Sequence, residues 1–232
     1  MNTPFSPAQI EALRRVDACT LANAIESFKL RLRNEGFTDG TTRCLTPQLR
    51  PMVGYAATVK IRGASPPTGG RMEHLDRTDW WDYIRSGPGP KILVVQDVSS
   101  RVGLGALLGE VHISILQALG CVGAVTNGAV RDLPAVQLLG FSLFAGSLSV
   151  SHSYVHIVEF GTPVEIDGLT IRPGDLLHGD IHGIQSVPTE IVAELPAVAA
   201  RITAREQALI ALCRVPDFSI EKLRDVVTGD NA

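Results

Sequence analysis

An α/β fold built around a largely parallel sheet is predicted by three features of the sequence. Short apolar runs alternate with helical patterns in the order strand, helix, strand, helix, strand between Ile92 and Ala145. Residues 111–130 and 133–158 contain no Asp, Glu, Lys or Arg and read as a core shared by several elements. The composition, 45% hydrophobic and only 19% charged where soluble chains average about 25% charged, describes a chain that buries much of its length.

The same numbers exclude several classes. A formal charge of −3 from 21 Lys+Arg against 24 Asp+Glu argues against a protein that coats nucleic acid, and the apolar fraction argues against disorder. The two uncharged segments are long enough to raise a membrane span. Gly, Asn, Ser or His interrupts each, and Pro134 the second, so no membrane partner is expected. No basic stretch followed by an apolar one opens the chain, so the expected compartment is the cytoplasm. Cys19, Cys44, Cys121 and Cys213 lie far apart with no CxxC pair, which reads as reduced, mostly buried thiols without a zinc or a disulfide. High burial with few charges also suits an oligomer.

Each element follows in order. After Ser6-Pro7, the residues Ile10, Leu13, Val16, Leu21, Ala24 and Ile25 fall near helical spacing, giving one or two helices that end near Lys29. A polar, glycine-containing loop comes next. Residues 53–61 form a strand, Ser65-Pro66-Pro67-Thr68-Gly69-Gly70 breaks it, and residues 72–85 read as helix. The alternation then runs through strand 92–96, a glycine-rich turn, helix 106–119, strand 122–126, a turn, helix 133–139 and strand 142–145. Right-handed crossovers gather reactive groups at the carboxyl ends of such strands. Beyond Gly146 the pattern is β-rich, over 155–160, 164–166, 169–171, 176–178 and 183–187, with Asp167-Gly168 marking a hairpin. Residues 189 to about 214 are helical, and a short helix over 220–227 follows Pro216. No internal repeat is present.

Two stretches carry chemistry. In Gly103-Leu-Gly105-Ala-Leu-Leu-Gly109-Glu110, glycines let backbone N–H groups approach an anion at the positive end of a helix. The GxGxxxG spacing, and Thr126-Asn127 where a ribose site needs an acid, count against a dinucleotide; a purely structural turn stays open. In Gly123-Ala-Val-Thr126-Asn127-Gly128-Ala-Val-Arg131-Asp132, a buried strand delivers a cation and an anion together at a helix start. Arg131 offers a fork matched to a carboxylate, and Asp132 an oxygen for a divalent cation. An Arg–Asp capping arrangement is the plainer alternative. Because successive parallel strands set their following loops side by side, Glu110 and Asp132 are placed to share one ion.

Taken in order, these residues resemble a known family. GALLGE, then GCVGAVTNGAVRD, GFSLFA and RPGDLLHGDIHGI, with GYAATVK standing for a GxAxTV strand, are similar to the proteins comprising class II pyruvate aldolases of 4-hydroxy-4-methyl-2-oxoglutarate and the RraA regulators of ribonuclease E. The resemblance runs from about Cys19 through Arg205. It implies a swivelling β/β/α-type α/β sandwich as a single RraA-like domain over 1–232, with an N-terminal helical region (1–50) and a C-terminal helical extension (189–232). It also implies a homotrimer or dimer of trimers with active sites between subunits. The cofactor it implies is Mg2+ or Mn2+, with Asp132 as direct ligand and Glu110 holding metal-bound water. Arg131 would steady pyruvyl or enolate oxygens, and the Leu108-Gly109-Glu110 backbone would hold the carboxylate. A C-terminal glutamate of a neighbouring subunit would complete the outer shell; Glu206 sits about where it is expected, with Glu194 as competitor.

The expected function is a metal-dependent lyase that cleaves a 4-hydroxy-2-oxo acid to pyruvate, with decarboxylation of oxaloacetate through the same enolate. A non-catalytic regulator that binds a ribonuclease or another protein is the alternative. About 45 residues after Val187 favour the enzyme, because the short regulators lack that segment. Departures from the family pattern are Asn127 and Asn23 where Asp is common, and His152 and His156, which would face one way from a strand and could reach a ligand, the plainer reading being satisfied or exposed histidines. His178, Asp180 and His182 suit a second metal or a substrate carboxylate, or a loop bonded to itself. Trp80-Trp81, without interleaved basic residues, reads as packing.

Overall fold

Apolar side chains that alternate along the strands send one set to each face of a sheet, and the structure is organised by that alternation. A computed structural model describes residues 5–67 and 78–229. Its helices are α1 (Pro7–Leu13), α2 (Ala18–Glu26), α3 (Asp79–Ser86), α4 (Glu110–Ala118), α5 (Leu133–Leu138), α6 (Leu195–Leu212) and α7 (Ile220–Gly229). The strands are β1 (Arg43–Cys44), β2 (Met52–Arg62), β3 (Lys91–Asp97), β4 (Ala106–Leu108), β5 (Cys121–Val130), β6 (Ser142–Leu148), β7 (His156–Phe160), β8 (Val164–Ile166), β9 (Leu169–Ile171), β10 (Leu176–Asp180) and β11 (Gly183–Ser186).

The main sheet runs β1-β6-β5-β3-β2-β10-β11, with β4 on β5 and β7 on β2. Its centre, β2, β3, β5 and β6, is parallel, whereas β1, β7, β10 and β11 join antiparallel. One face carries Ala57, Val59, Leu93, Val95, Ala124 and Leu143 against Trp80, Ile84, Ile113, Leu116 and Val136 of α3, α4 and α5. The other carries Ala56, Ile92, Val94, Val125 and Phe144 against Val164, Ile166, Leu169 and Ile171 of the β8–β9 hairpin. The layers are therefore hairpin, sheet and helices, the β/β/α order expected. A third cluster packs α1, α2 and α6 on Val53, Tyr55 and Leu176.

Several expectations change in detail. The helix expected over 106–119 begins only at Glu110, because Ala106–Leu108 pairs with β5 through Ala106↔Ala129 and Leu108↔Val130. Asn127-Gly128 is no turn; β5 continues through it to Val130, with its register shifting between Thr126 and Ala129. The polar loop before β2 contains a short strand, β1, on the edge of β6. Of the expected helix over 72–85, residues 72–77 lie outside those described, as do Thr68, Gly69 and Gly70 of the breaker. The thiols are free but not mostly buried: Cys19 and Cys213 are exposed, Cys44 is partly buried, and only Cys121 is enclosed, where burial pushes its thiol up to about 12. Trp80 is packed in the core, as read from its neighbours. No helix of the described residues is long and apolar enough to cross a membrane.

Candidate active site

The carboxyl end of β5 places Arg131 and Asp132 beside the start of α4. The β4–β5 pairing fixes this meeting, because Arg131 N–H donates to the Leu108 carbonyl at 2.9 Å. Gly109 then caps α4, so Glu110 is its first residue. Asp132 caps α5 in the left-handed conformation (φ 56°, ψ 31°), a region that costs a non-glycine residue about 1 kcal/mol and that Asp tolerates better than most. Its carbonyl accepts from Ala135 and Val136 at 3.0 Å each, and Pro134 in the first turn favours a helix start there.

The Glu110 backbone and the His152 ring converge on the Arg131–Asp132 pair. Asp132 Oδ2 accepts from the Glu110 backbone N–H at 3.2 Å and from Arg131 Nε at 3.2 Å. Arg131 Nη1 lies 3.1 Å from His152 Nδ1. Gly109 is required by space: a Cβ there would stand 2.5 Å from Asp132 Oδ2 and 2.9 Å from Arg131 Cγ. The side chains of Arg131 and Asp132 remain 29% and 37% exposed, so the cluster opens on solvent and is not sealed in the core. Leu108 itself is buried and contributes backbone only.

The donor set suits a hard divalent cation. Among the described residues, Asp132 Oδ1 and the Glu110 carboxylate have no hydrogen-bond partner, and carboxylate oxygens are what Mg2+ and Mn2+ prefer. No three His, Cys, Asp or Glu side chains among the described residues are placed to hold a metal ion together. One chain brings the Asp132 carboxylate to the backbone of Glu110, and an ion that keeps several waters needs only one or two protein carboxylates. Glu206 lies on α6 and accepts a long hydrogen bond from Asn23 Nδ2 at 3.4 Å, so within one chain it faces α2. Glu194, its competitor, caps α6.

Behind the site, Asn127 is a brace. Its Oδ1 accepts from Asp97 N–H at 2.7 Å and its Nδ2 donates to the Asp97 carbonyl at 3.2 Å, bridging β3 and β5 where the ladder loosens. An aspartate would lose the second bond. The buried Asp97 carboxylate accepts from the Ser99 and Gly103 N–H groups, at 2.9 and 2.8 Å, and so shapes the glycine-rich loop that leads to β4.

The histidines divide. His152 and His156 do not face one way, because His152 precedes β7: His152 meets Arg131, whereas His156 is buried with Nδ1 2.8 Å from the Tyr154 carbonyl. Of the two histidines, only His152 comes to the Arg131–Asp132 pair. His178 and Asp180 lie on β10 instead of in a loop. His178 is fully buried, its Nε2 2.9 Å from the Val16 carbonyl, and burial holds its imidazole below the ordinary 6.5. Asp180 accepts from the N–H groups of Ala18 and His182, at 2.8 Å each.

A parallel-centred β/β/α sandwich with an Arg–Asp pair at the mouth of its central strand defines one class. The RraA-like family (Aldolase/RraA) matches residues 18–185, and the chain belongs to it. Among its relatives is a protein of Halalkalibacterium halodurans that carries the provisional name 4-hydroxy-4-methyl-2-oxoglutarate aldolase, 30% identical over 109 residues. That match takes in 45% of this chain and 52%, about half, of the relative. The fold is similar to that of an uncharacterized protein from Pseudomonas syringae pv. tomato (TM-score 0.73, 23% identity, 97% of this chain and 96% of the other). It is also similar to Streptomyces coelicolor RraAS2, described as an unusual member of the RNase ES inhibitor RraA protein family (TM-score 0.69, 21% identity, 89% and 98%).

Proposed function

We propose that this protein is a divalent-metal-dependent lyase that cleaves a 4-hydroxy-2-oxo acid, such as 4-hydroxy-4-methyl-2-oxoglutarate, to pyruvate, and that it also decarboxylates oxaloacetate. The observation that carries the reading is the convergence of the Glu110 backbone N–H, Arg131 and Asp132, from two crossovers, around the notch left by Gly109. The partial match to the Halalkalibacterium halodurans relative agrees with it.

In this reading Asp132, with Glu110 beside it, holds Mg2+ or Mn2+, and the bound ion supplies Lewis acidity toward the keto-acid oxygens. Arg131 binds the pyruvyl end. Its charge faces the oxygen that becomes negative as the bond between C3 and C4 breaks and the electron pair moves into an enolate. The Leu108-Gly109-Glu110 backbone, at the positive end of α4, receives the substrate carboxylate. Protonation of the enolate carbon gives pyruvate, and loss of the hydroxyl proton gives the second carbonyl compound.

The proposal includes a homotrimer or dimer of trimers in which Glu206 of a neighbour reaches the site. Support comes from the apolar side chains left open around it, with Val111, Leu138, Leu148 and Val150 between 59% and 99% exposed in the single chain.

Purified protein incubated with Mg2+ or Mn2+ and either oxaloacetate or 4-hydroxy-4-methyl-2-oxoglutarate should release pyruvate, followed by coupled reduction, and a chelator should stop it. Asp132→Ala should abolish the metal-dependent turnover; Arg131→Ala should reduce it, mainly through weaker substrate and enolate binding. No pyruvate with any divalent ion tried would favour a non-catalytic binding protein of the regulator type.

A further inference from the structure

The segment from Ser149 to Val155 is fastened to the glycine-rich loop at several points. Ser149 N–H donates to the Val130 carbonyl at 3.0 Å, Ser149 Oγ to the Leu104 carbonyl at 2.9 Å, and Ala106 N–H to the Ser151 carbonyl at 3.0 Å. Ser153 takes the left-handed conformation, with its N–H on Ser151 Oγ at 2.9 Å. Gly105 has ordinary φ yet must be glycine, because a Cβ would collide with the His152 carbonyl. His152 is therefore set by backbone contacts on both flanks, and its ring reaches the fork of Arg131.

The chemistry of that contact has one solution. A guanidinium stays protonated and has donors only, so at 3.1 Å from Arg131 Nη1 the His152 Nδ1 must be an unprotonated acceptor, and the ring carries its proton on Nε2. Arg131 is thereby held at two ends, by Asp132 Oδ2 on Nε and by His152 on Nη1. Tethered at Nε alone, its plane would be free to turn. Held at both ends, it presents the remaining N–H groups in one direction, and ordering achieved before binding need not be supplied by the ligand.

We propose that His152 is a positioning residue of this site, whose neutral imidazole fixes the Arg131 guanidinium in the orientation that receives a keto acid. This rests on the lyase reading for its substrate, but the contact itself is independent of turnover.

Two measurements test it. In steady-state kinetics with Mn2+ and oxaloacetate, His152→Ala should lower kcat/KM roughly tenfold, the size of one charge-assisted hydrogen bond, with both KM raised and kcat lowered because Arg131 meets substrate and enolate alike. His152→Asn, whose side-chain oxygen falls near the place of Nδ1, should recover most of the loss. In long-range 1H–15N spectra of the wild-type protein, the ring assigned through His152→Gln should appear as the Nε2–H tautomer, and its Nδ1 signal should move in Arg131→Ala. Should the wild type release no pyruvate with any ion, the lyase reading falls, and the spectra alone decide on His152. An Nδ1–H tautomer, or an Nδ1 signal indifferent to Arg131→Ala, overturns the proposal; so does an unchanged kcat/KM in a turning-over His152→Ala enzyme.

Discussion

Two places in this molecule bring histidine and aspartate together, and they use the same residue types in opposite ways. Under α2, Asp180 spends its oxygens on backbone donors and on His182, with only 9% of its side chain exposed, and His178 has no exposure at all. At the mouth of β5, Asp132 commits one oxygen and keeps the other without a described partner, with more than a third of its side chain open. A carboxylate whose lone pairs are all used by the fold holds the fold. One with unspent acceptor capacity beside an arginine is available to a ligand.

The sharpest way to break that comparison is to remove charge at each place. Asp132→Asn keeps a residue that tolerates the left-handed conformation and an oxygen for the Glu110 N–H, so the fold should survive while metal-dependent turnover falls by about a thousandfold. Asp180→Ala should do the reverse, lowering unfolding free energy by about 2 kcal/mol through orphaned N–H groups with kcat unchanged. Pyruvate assays paired with urea titrations read both. An active Asp132→Asn, or an Asp180→Ala that is stable but inactive, would exchange the two roles.

Next in size is Gly109→Ala. The added methyl cannot coexist with Asp132 Oδ2 at 2.5 Å, so Asp132 and Arg131 must shift, and a displacement near 1 Å costs about a hundredfold in rate. The same assay checks it, and full activity would show that the notch is not part of the site.

Much of this was legible beforehand, and the exceptions have physical causes. Asp167-Gly168 gave the β8–β9 hairpin with its bounds, and the alternation of apolar runs gave the parallel centre of the sheet. Ala106–Leu108 was absorbed into a helix because three contiguous apolar residues have no period of their own; pairing with Ala129 and Val130 makes them a strand. Asn127-Gly128 looked like a turn, but the Asn127 amide is drawn onto the Asp97 backbone and the strand goes on. The meeting of the Glu110 backbone with Arg131 and Asp132 was legible because these residues follow consecutive crossovers. His152 was legible only as a histidine that could reach a ligand from a strand; its actual approach to Arg131 depends on a loop folding over Gly105, which a strand reading does not give.

The smallest effect belongs to His178 and tests the structural half of the comparison through pH. Its Nε2 is engaged by the Val16 carbonyl and its Nδ1 is buried without a hydrogen bond, so protonation would bury a charge at a cost that outweighs the help of the Val16 and Leu13 carbonyls and the Asp180 and Asp17 carboxylates. Burial accordingly lowers its folded pKa below the ordinary 6.5. As pH falls through about 6.5, the unfolded chain takes up a proton that the folded one refuses, so the unfolded state binds more protons and stability drops. Above that pH both states are neutral at this ring and the term vanishes; below the folded pKa it stops growing. Within the window the slope approaches at most about 1.4 kcal/mol per pH unit. Urea unfolding at pH 7.5 and 5.5 should show this loss in the wild type and a smaller one in His178→Gln, whose side chain does not titrate. Equal slopes in the two proteins would mean that His178 accepts its proton within the fold, and that the cluster under α2 is more open to solvent than its contacts indicate.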